Sequence, residues 1–229
     1  MPAEWQPHAA TWLAWPHNHS DWPGKLPAVE WVYGEIVRHL VSGETARIVV
    51  QDPDHEARAR DILNRVGVLA ARVEFFTFPT NRGWVRDYGP LFVCAGNEKA
   101  VVDFRFNGWA QYDDWQLDDT VPKQAAEALG LKRLPQEMVL EGGAIDVNGR
   151  GTLVTTEQCL LDPEIQTRNP GWSKSQVESA LRDTLGAENV LWLGDGIAGD
   201  DTHGHVDDVC RFVNPETVVA CIEPNREDP

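Results

Sequence analysis

Strand-forming runs in this chain do not alternate one for one with helices; they come in twos and threes. VEFFTF (73–78), LFVCA (91–95) and KAVVDFRF (99–106) follow one another with no helical pattern between them. A doubly wound parallel sheet needs a crossover helix after each strand, so repeated β-β-α-β units fit better. ARIVVQ (46–51), GTLVTT (151–156), NVLWLG (189–194) and TVVACIE (217–223) complete the strand set. Helical periodicity covers 28–44, where Val29, Val32, Tyr33, Ile36, Val37, Leu40 and Val41 form one apolar stripe, and then 54–66, 123–129 and 173–185. Ser173 with Gln176 fits a capping box, and Gly130 and Gly186 are stops. No Pro/Gly/Ser linker or low-complexity run divides the chain, so residues 1–229 read as a single α/β domain.

The chain carries 36 acidic against 20 basic side chains, a net charge of −16. Such a field repels nucleic acid and anionic membrane and draws cations. A small cationic substrate therefore fits, and neither nucleic acid nor membrane is an expected partner, although plain solubility explains the charge as well. The four cysteines, at 94, 159, 210 and 221, form no CxxC pair and lie in or beside apolar runs. That favours reduced, buried thiols and a cytoplasmic setting. The opening MPAEWQPHAATWLAWP has an early Glu4 and no basic region, unlike a secretory signal. No apolar run approaches the length of a membrane span.

Three segments concentrate chemistry. GDDTHGHVDD (199–208) places two histidines among four aspartates. If a strand began at His205, alternation would put His205 and Asp207 on one face with His203 near it. That pattern suits a metal set of His203, His205 and Asp207, or a proton carrier with a carboxylate anchor, or a solvated loop. NRGWVRDYGP (81–90) sets Trp84 close to Asp87, an indole and a carboxylate that together suit a cation. A turn with an Arg86–Asp87 pair and a packed ring accounts for it equally. LEGGAIDVNGRGTL (140–153) follows Glu141 with two glycines, which permit a sharp turn or a close approach. A hairpin-like turn with Glu141 in water is the plainer alternative.

Taken together and in this order, WVRDYGP, LEGGAID with GTLVTTEQCLL, and DDTHGHVDD with RFV resemble the agmatine deiminase family of guanidine-modifying hydrolases, as does the opening MPAEWQPHAATWLAWPHNHSDWPG. The resemblance spans essentially the whole chain. It implies a pentein-type α/β propeller of five pseudo-symmetric ββαβ modules. It also implies hydrolytic deimination, agmatine going to N-carbamoylputrescine and ammonia, with no metal or other cofactor. Asp87 and Asp207 would hold the guanidinium, Glu141 would orient the His205 ring, and His205 would serve as general acid and then base. Trp84 and His203 would line the substrate, and His203 stands where agmatine-specific members often have Asp or Asn. Peptidyl-arginine and free arginine-like compounds are the alternatives within that chemistry.

One expected part does not match. The family's nucleophilic cysteine follows a glycine-rich stretch near its C-terminus, and no such stretch occurs here. Cys159 falls in TTEQCLL, whose cysteine the family carries without using it as the nucleophile; Cys94, Cys210 and Cys221 sit among apolar residues. The expectation is a C-terminally truncated deiminase of about three modules, inactive alone, with exposed strand edges that favour association of copies. A non-catalytic guanidine- or polyamine-binding fragment and a metal-dependent hydrolase are the competing readings.

Overall fold

The computed structural model describes residues 1–68, 70–222 and 224–225. Contacts gather the chain into two compact units, each discontinuous in sequence: residues 7–85 with 114–121, and residues 1–6 with 86–113 and 122–229.

The first unit runs β1 (Ala10–Ala14), α1 (Leu26–Leu40), β2 (Thr45–Val50), α2 (Pro53–Arg65) and β3 (Val73–Thr77). Its three strands are all parallel, in the order β1-β2-β3, so a helix follows each of the first two strands. This differs from the expected ββαβ pattern. The strand responsible, ATWLA, has too few alternating positions to stand out among its flanking prolines and tryptophans. Trp15, Val37, Val41, Ala46, Ile48, Val50, Ala59 and Leu63 form the core. The α1 stripe is wider than its buried face: Val37 is buried while Val32 and Ile36 are exposed. The helix settles on α2 through Gly34, where a Cβ would lie 3.1 Å from the Ile62 Cγ2. Asp52 starts α2 by accepting the His55 N–H at 2.7 Å.

The second unit follows the one-turn helix α3 (Val85–Tyr88) and twice realises the expected repeat. In the first, β4 (Leu91–Ala95) pairs antiparallel with β5 (Glu98–Arg105), and α4 (Val121–Leu129) crosses to β6 (Lys132–Val139), parallel to β5. In the second, β7 (Asp146–Val147) pairs antiparallel with β8 (Thr152–Thr156); α5 (Glu157–Leu161) and α6 (Lys174–Leu185) then lead to β9 (Asn189–Leu193), parallel to β8. The antiparallel hairpin of β10 (Cys210–Asn214) and β11 (Thr217–Ala220) comes last. The final residues of TVVACIE thus leave the strand, and Glu223 lies outside the described residues.

Three of these strands carry weak signals. β6 reads KRLPQEMV, in which Pro135 and the charges argue against a strand; its pairing with β5 and the burial of Met138 decide the matter. β7 has only two residues. β10 begins at Cys210, because Val206–Asp208 is a 3-10 turn. Val102, Phe104, Met138, Leu140, Leu153, Val177, Leu181 and Leu185 belong to one core that joins the two repeats. The Ser173–Gln176 capping box is present, and Gly186 ends α6 at φ 71°. Among the described residues no helix is long and apolar enough to cross a membrane.

Candidate active site

Asp87 lies on α3, too short a helix to fix a side chain by itself, so other segments hold it. The Trp109 indole Nε1 donates to Asp87 Oδ2 at 3.0 Å, and the Gly143 N–H donates to Oδ1 at 3.2 Å. Trp109 and Ala110 sit at φ 58° and 52°, in a region that non-glycine residues seldom occupy outside functional sites. Asn107 steadies that turn by accepting the Ala110 N–H at 2.9 Å. Burial pushes the Asp87 carboxyl up to about 6; His205 opposes the shift, and the charges on Glu141 and Asp207 add to it.

Glu141 comes two residues after β6 and is fully buried. Burial would raise its carboxyl, but the Arg168 guanidinium and the His205 ring together outweigh that and hold it at about 2. The Arg168 Nε donates to Glu141 Oε1 at 3.0 Å. The two glycines that follow are required for close approach. A Cβ on Gly142 would collide with the Arg86 carbonyl oxygen, and one on Gly143 would lie 2.5 Å from His205 Nδ1 and 2.6 Å from Asp87 Oδ1. The LEGG segment therefore presses its backbone against two other site residues.

His205 is delivered by a loop wound around Asp200, which accepts the Thr202 N–H at 2.9 Å, the Thr202 hydroxyl at 2.5 Å, the Gly204 N–H at 2.9 Å and the His205 N–H at 3.4 Å. Strand alternation is thus not what brings His205 and Asp207 together; His205 caps a 3-10 turn. Its Nδ1 lies 3.6 Å from Asp87 Oδ1 and 3.9 Å from Asp207 Oδ1, and its Nε2 lies 3.7 Å from Glu141 Oε2. These separations exceed hydrogen bonds, and both His205 Nε2 and Glu141 Oε2 are buried without a hydrogen-bond partner. Burial disfavours the ring's charge, but the Cys159 sulfur and the Glu141 and Asp87 carboxylates outweigh it and push His205 up to about 11. That shift favours the protonated form of a ring that lies among three carboxyl groups.

Asp207 is partly open, and its Oδ2 forms an ion pair with the guanidinium of Arg86 at 3.2 Å. Arg86 is held in turn by Glu4 at 2.5 Å. His203 stands apart from this group. At φ 59° it turns its Nε2 to Asp162 Oδ2, 2.8 Å away. Trp84 belongs to the other compact unit, where its half-exposed ring packs on Trp22 at a centroid distance of 5.1 Å. Four of the six residues singled out in the sequence, Asp87, Glu141, His205 and Asp207, thus share one site.

Three more residues belong to it and were not singled out for it. Trp109 was unmarked, although Asn107-Gly108 just before it is a turn signal. Arg168 lies in QTRNP, where only the following proline punctuates the chain. Cys159 reads as an ordinary core residue, yet its sulfur, a His205 ring nitrogen and a Glu141 carboxylate oxygen lie within 4.8 Å of one another. These are ligand types that zinc accepts, but they are not the alternating set His203, His205 and Asp207. One Glu141 oxygen already serves Arg168, and burial pushes the Cys159 thiol up, away from the thiolate a metal needs. All four cysteines are free; Cys94 and Cys221 are exposed, and Cys159 and Cys210 are buried.

Two buried carboxyls and a partly open one surround the His205 ring, and the Arg86 guanidinium lies against Asp207. The model of the Porphyromonas-type peptidyl-arginine deiminase family matches residues 1–229. An agmatine deiminase of Ectopseudomonas mendocina is 36% identical over 237 residues, covering 100% of this chain and 62% of that protein. A solved agmatine deiminase of Enterococcus faecalis superposes with a TM-score of 0.88 at 33% identity, covering 100% of this chain and 62% of that one. An agmatine deiminase of C. jejuni with substrate bound superposes at 0.86 and 28% identity, covering 99% and 65%. The chain therefore spans a little over three fifths of the length of these relatives and shares their pentein-type α/β fold. It belongs to the Porphyromonas-type peptidyl-arginine deiminase family, in which the agmatine deiminases stand as its relatives.

Proposed function

We propose that this chain provides the guanidinium-binding and proton-transferring part of a hydrolase that deiminates agmatine to N-carbamoylputrescine and ammonia. The observation that carries the reading is the His205 ring, set 3.6 to 3.9 Å from carboxylate oxygens of Asp87, Glu141 and Asp207. A guanidinium is planar, cationic and unreactive, so it has to be neutralised, oriented and attacked by a strong nucleophile. Asp87 and Asp207 accept its N–H groups, each pair a charge-assisted bond. A thiolate forms the C–S bond at the guanidinium carbon. The C–N bond then breaks as His205 gives its proton to departing ammonia. Water attacks the thiouronium carbon, His205 takes its proton, and the thiolate leaves a ureido product.

The thiolate is not one of the four cysteines described here. Cys159 is buried with its thiol pushed up, Cys210 is buried and likewise pushed up, and Cys94 and Cys221 lie exposed at the surface. The 229-residue chain therefore binds a guanidine and does not turn it over. No metal or other cofactor enters this chemistry, and the free thiols agree with a cytoplasmic setting. Calorimetry with agmatine should give binding that weakens about tenfold or more in Asp87→Asn and in Asp207→Asn, the scale of one charge-assisted bond. Ammonia release above that of His205→Ala, or agmatine binding indifferent to both aspartates, would sink the reading. Activity lost to a chelator would favour a metal-dependent hydrolase instead.

A further inference from the structure

We propose that Arg168 is a positioning residue, which fixes Glu141 and the His205-bearing loop relative to one another. The proposal rests on the deiminase reading of the site and adds to it a residue that does not touch substrate. The Arg168 side chain is fully buried and spends its donors in three directions. Its Nε binds Glu141 Oε1 at 3.0 Å, its Nη1 binds the Gln166 carbonyl at 2.9 Å, and its Nη2 binds the Thr202 carbonyl. Thr202 lies three residues before His205 in the loop wound around Asp200.

The neighbours of Arg168 make this a clasp rather than a single bond. Asn169 holds both backbone groups of Val139, accepting its N–H and donating to its carbonyl, each at 2.9 Å. Arg168 is thus anchored to the end of β6, two residues before Glu141. Gln166, at φ 44°, donates to the carbonyls of Trp109 and Asp201 at 3.1 Å. Trp109 is the residue that holds Asp87. One short segment, 166–169, therefore touches the supports of Asp87, Glu141 and His205.

Only a guanidinium has the planar fork of donors to reach three fixed acceptors at once; a lysine ammonium is a point charge. Burying such a pair seldom gains stability over an apolar replacement. Stability alone therefore gives no reason for an arginine here, whereas a fixed Glu141–His205 separation does.

The test uses the 229-residue chain and its Arg168→Met and Arg168→Lys variants. NMR titration follows the Glu141 side-chain carboxyl from pH 4 to 8, and amide hydrogen exchange follows residues 202–205. In the parent, Glu141 should stay ionised throughout. In Arg168→Met it should take up a proton inside that range. In Arg168→Lys it should stay ionised while exchange over 202–205 quickens by about tenfold, the scale of one lost charged hydrogen bond. A Glu141 that remains ionised in Arg168→Met overturns the proposal. So does exchange over 202–205 in Arg168→Lys that quickens no more than in the β4–β5 hairpin, and this second measurement decides alone if Arg168→Met fails to fold. None of these readouts needs turnover, so a failure of the deiminase reading and a failure of the clasp are told apart.

Discussion

The indole of Trp109 donates to the Asp87 carboxylate at 3.0 Å from a backbone held at φ 58°. A strained residue thus supplies one of the two hydrogen bonds that fix a carboxyl which burial would otherwise keep protonated. Trp109→Phe keeps the ring and removes the donor. It should lower stability by about 1–2 kcal/mol, the usual cost of a buried acceptor losing its partner. It should also weaken agmatine binding more than Trp84→Phe does. Unchanged binding alongside the expected stability loss would reduce Trp109 to a packing role.

Gly143 faces His205 and Asp87 with no room for a methyl group. In Gly143→Ala the ring and carboxylate have to separate, since both would meet the new Cβ at well under van der Waals distance. Overpacking of this kind costs about 1–3 kcal/mol. Thermal melts should show that loss, and calorimetry should show agmatine binding falling with it. A fully stable variant that binds normally would mean the LEGG backbone can shift at little cost.

Thiol reactivity separates the four cysteines. Cys94 and Cys221 are exposed, whereas Cys159 and Cys210 are buried with thiols pushed up by burial. An aromatic disulfide reagent should therefore titrate two thiols rapidly in the native chain and all four after unfolding. Mass mapping that finds Cys159 among the fast pair would reopen its candidacy as a nucleophile.

The pH dependence of stability has three contributors at this site, with different signs. Glu141, at about 2 against an ordinary 4.5, adds stability that is present above 4.5 and lost as the pH falls toward 2. His205, at about 11 against 6.5, adds stability that is complete below 6.5 and lost as the pH climbs toward 11. Asp87, at about 6 against 3.8, instead costs stability as the pH rises from 3.8 through 6. Urea unfolding of the parent from pH 6.5 to 9 should therefore show declining stability, by up to about 1.4 kcal/mol per pH unit for one proton. His205→Gln should flatten that decline. Equal slopes in both proteins would place the titrating group elsewhere.

Much of this chain follows from local sequence. The helix starts and stops, the capping box at Ser173, and most strands come from periodicity and end signals that act over a few residues. Asp87, Glu141, His205 and Asp207 were legible as well, because each sits in a short segment whose composition has few other uses. What local sequence could not decide was anything set by a distant partner. β6 is a strand despite Pro135 because β5 pairs with it, and β1 is a strand because β2 does. His205 and Asp207 come together through a turn around Asp200, with no strand alternation involved. His203, at the same spacing, faces Asp162 instead. Trp109 and Arg168 carry no chemical signature of their own, since an indole and a guanidinium occur in many cores and surfaces. Their roles exist only because folding brings them to carboxylates 22 and 27 residues away, where burial makes an unpaired charge too costly to leave.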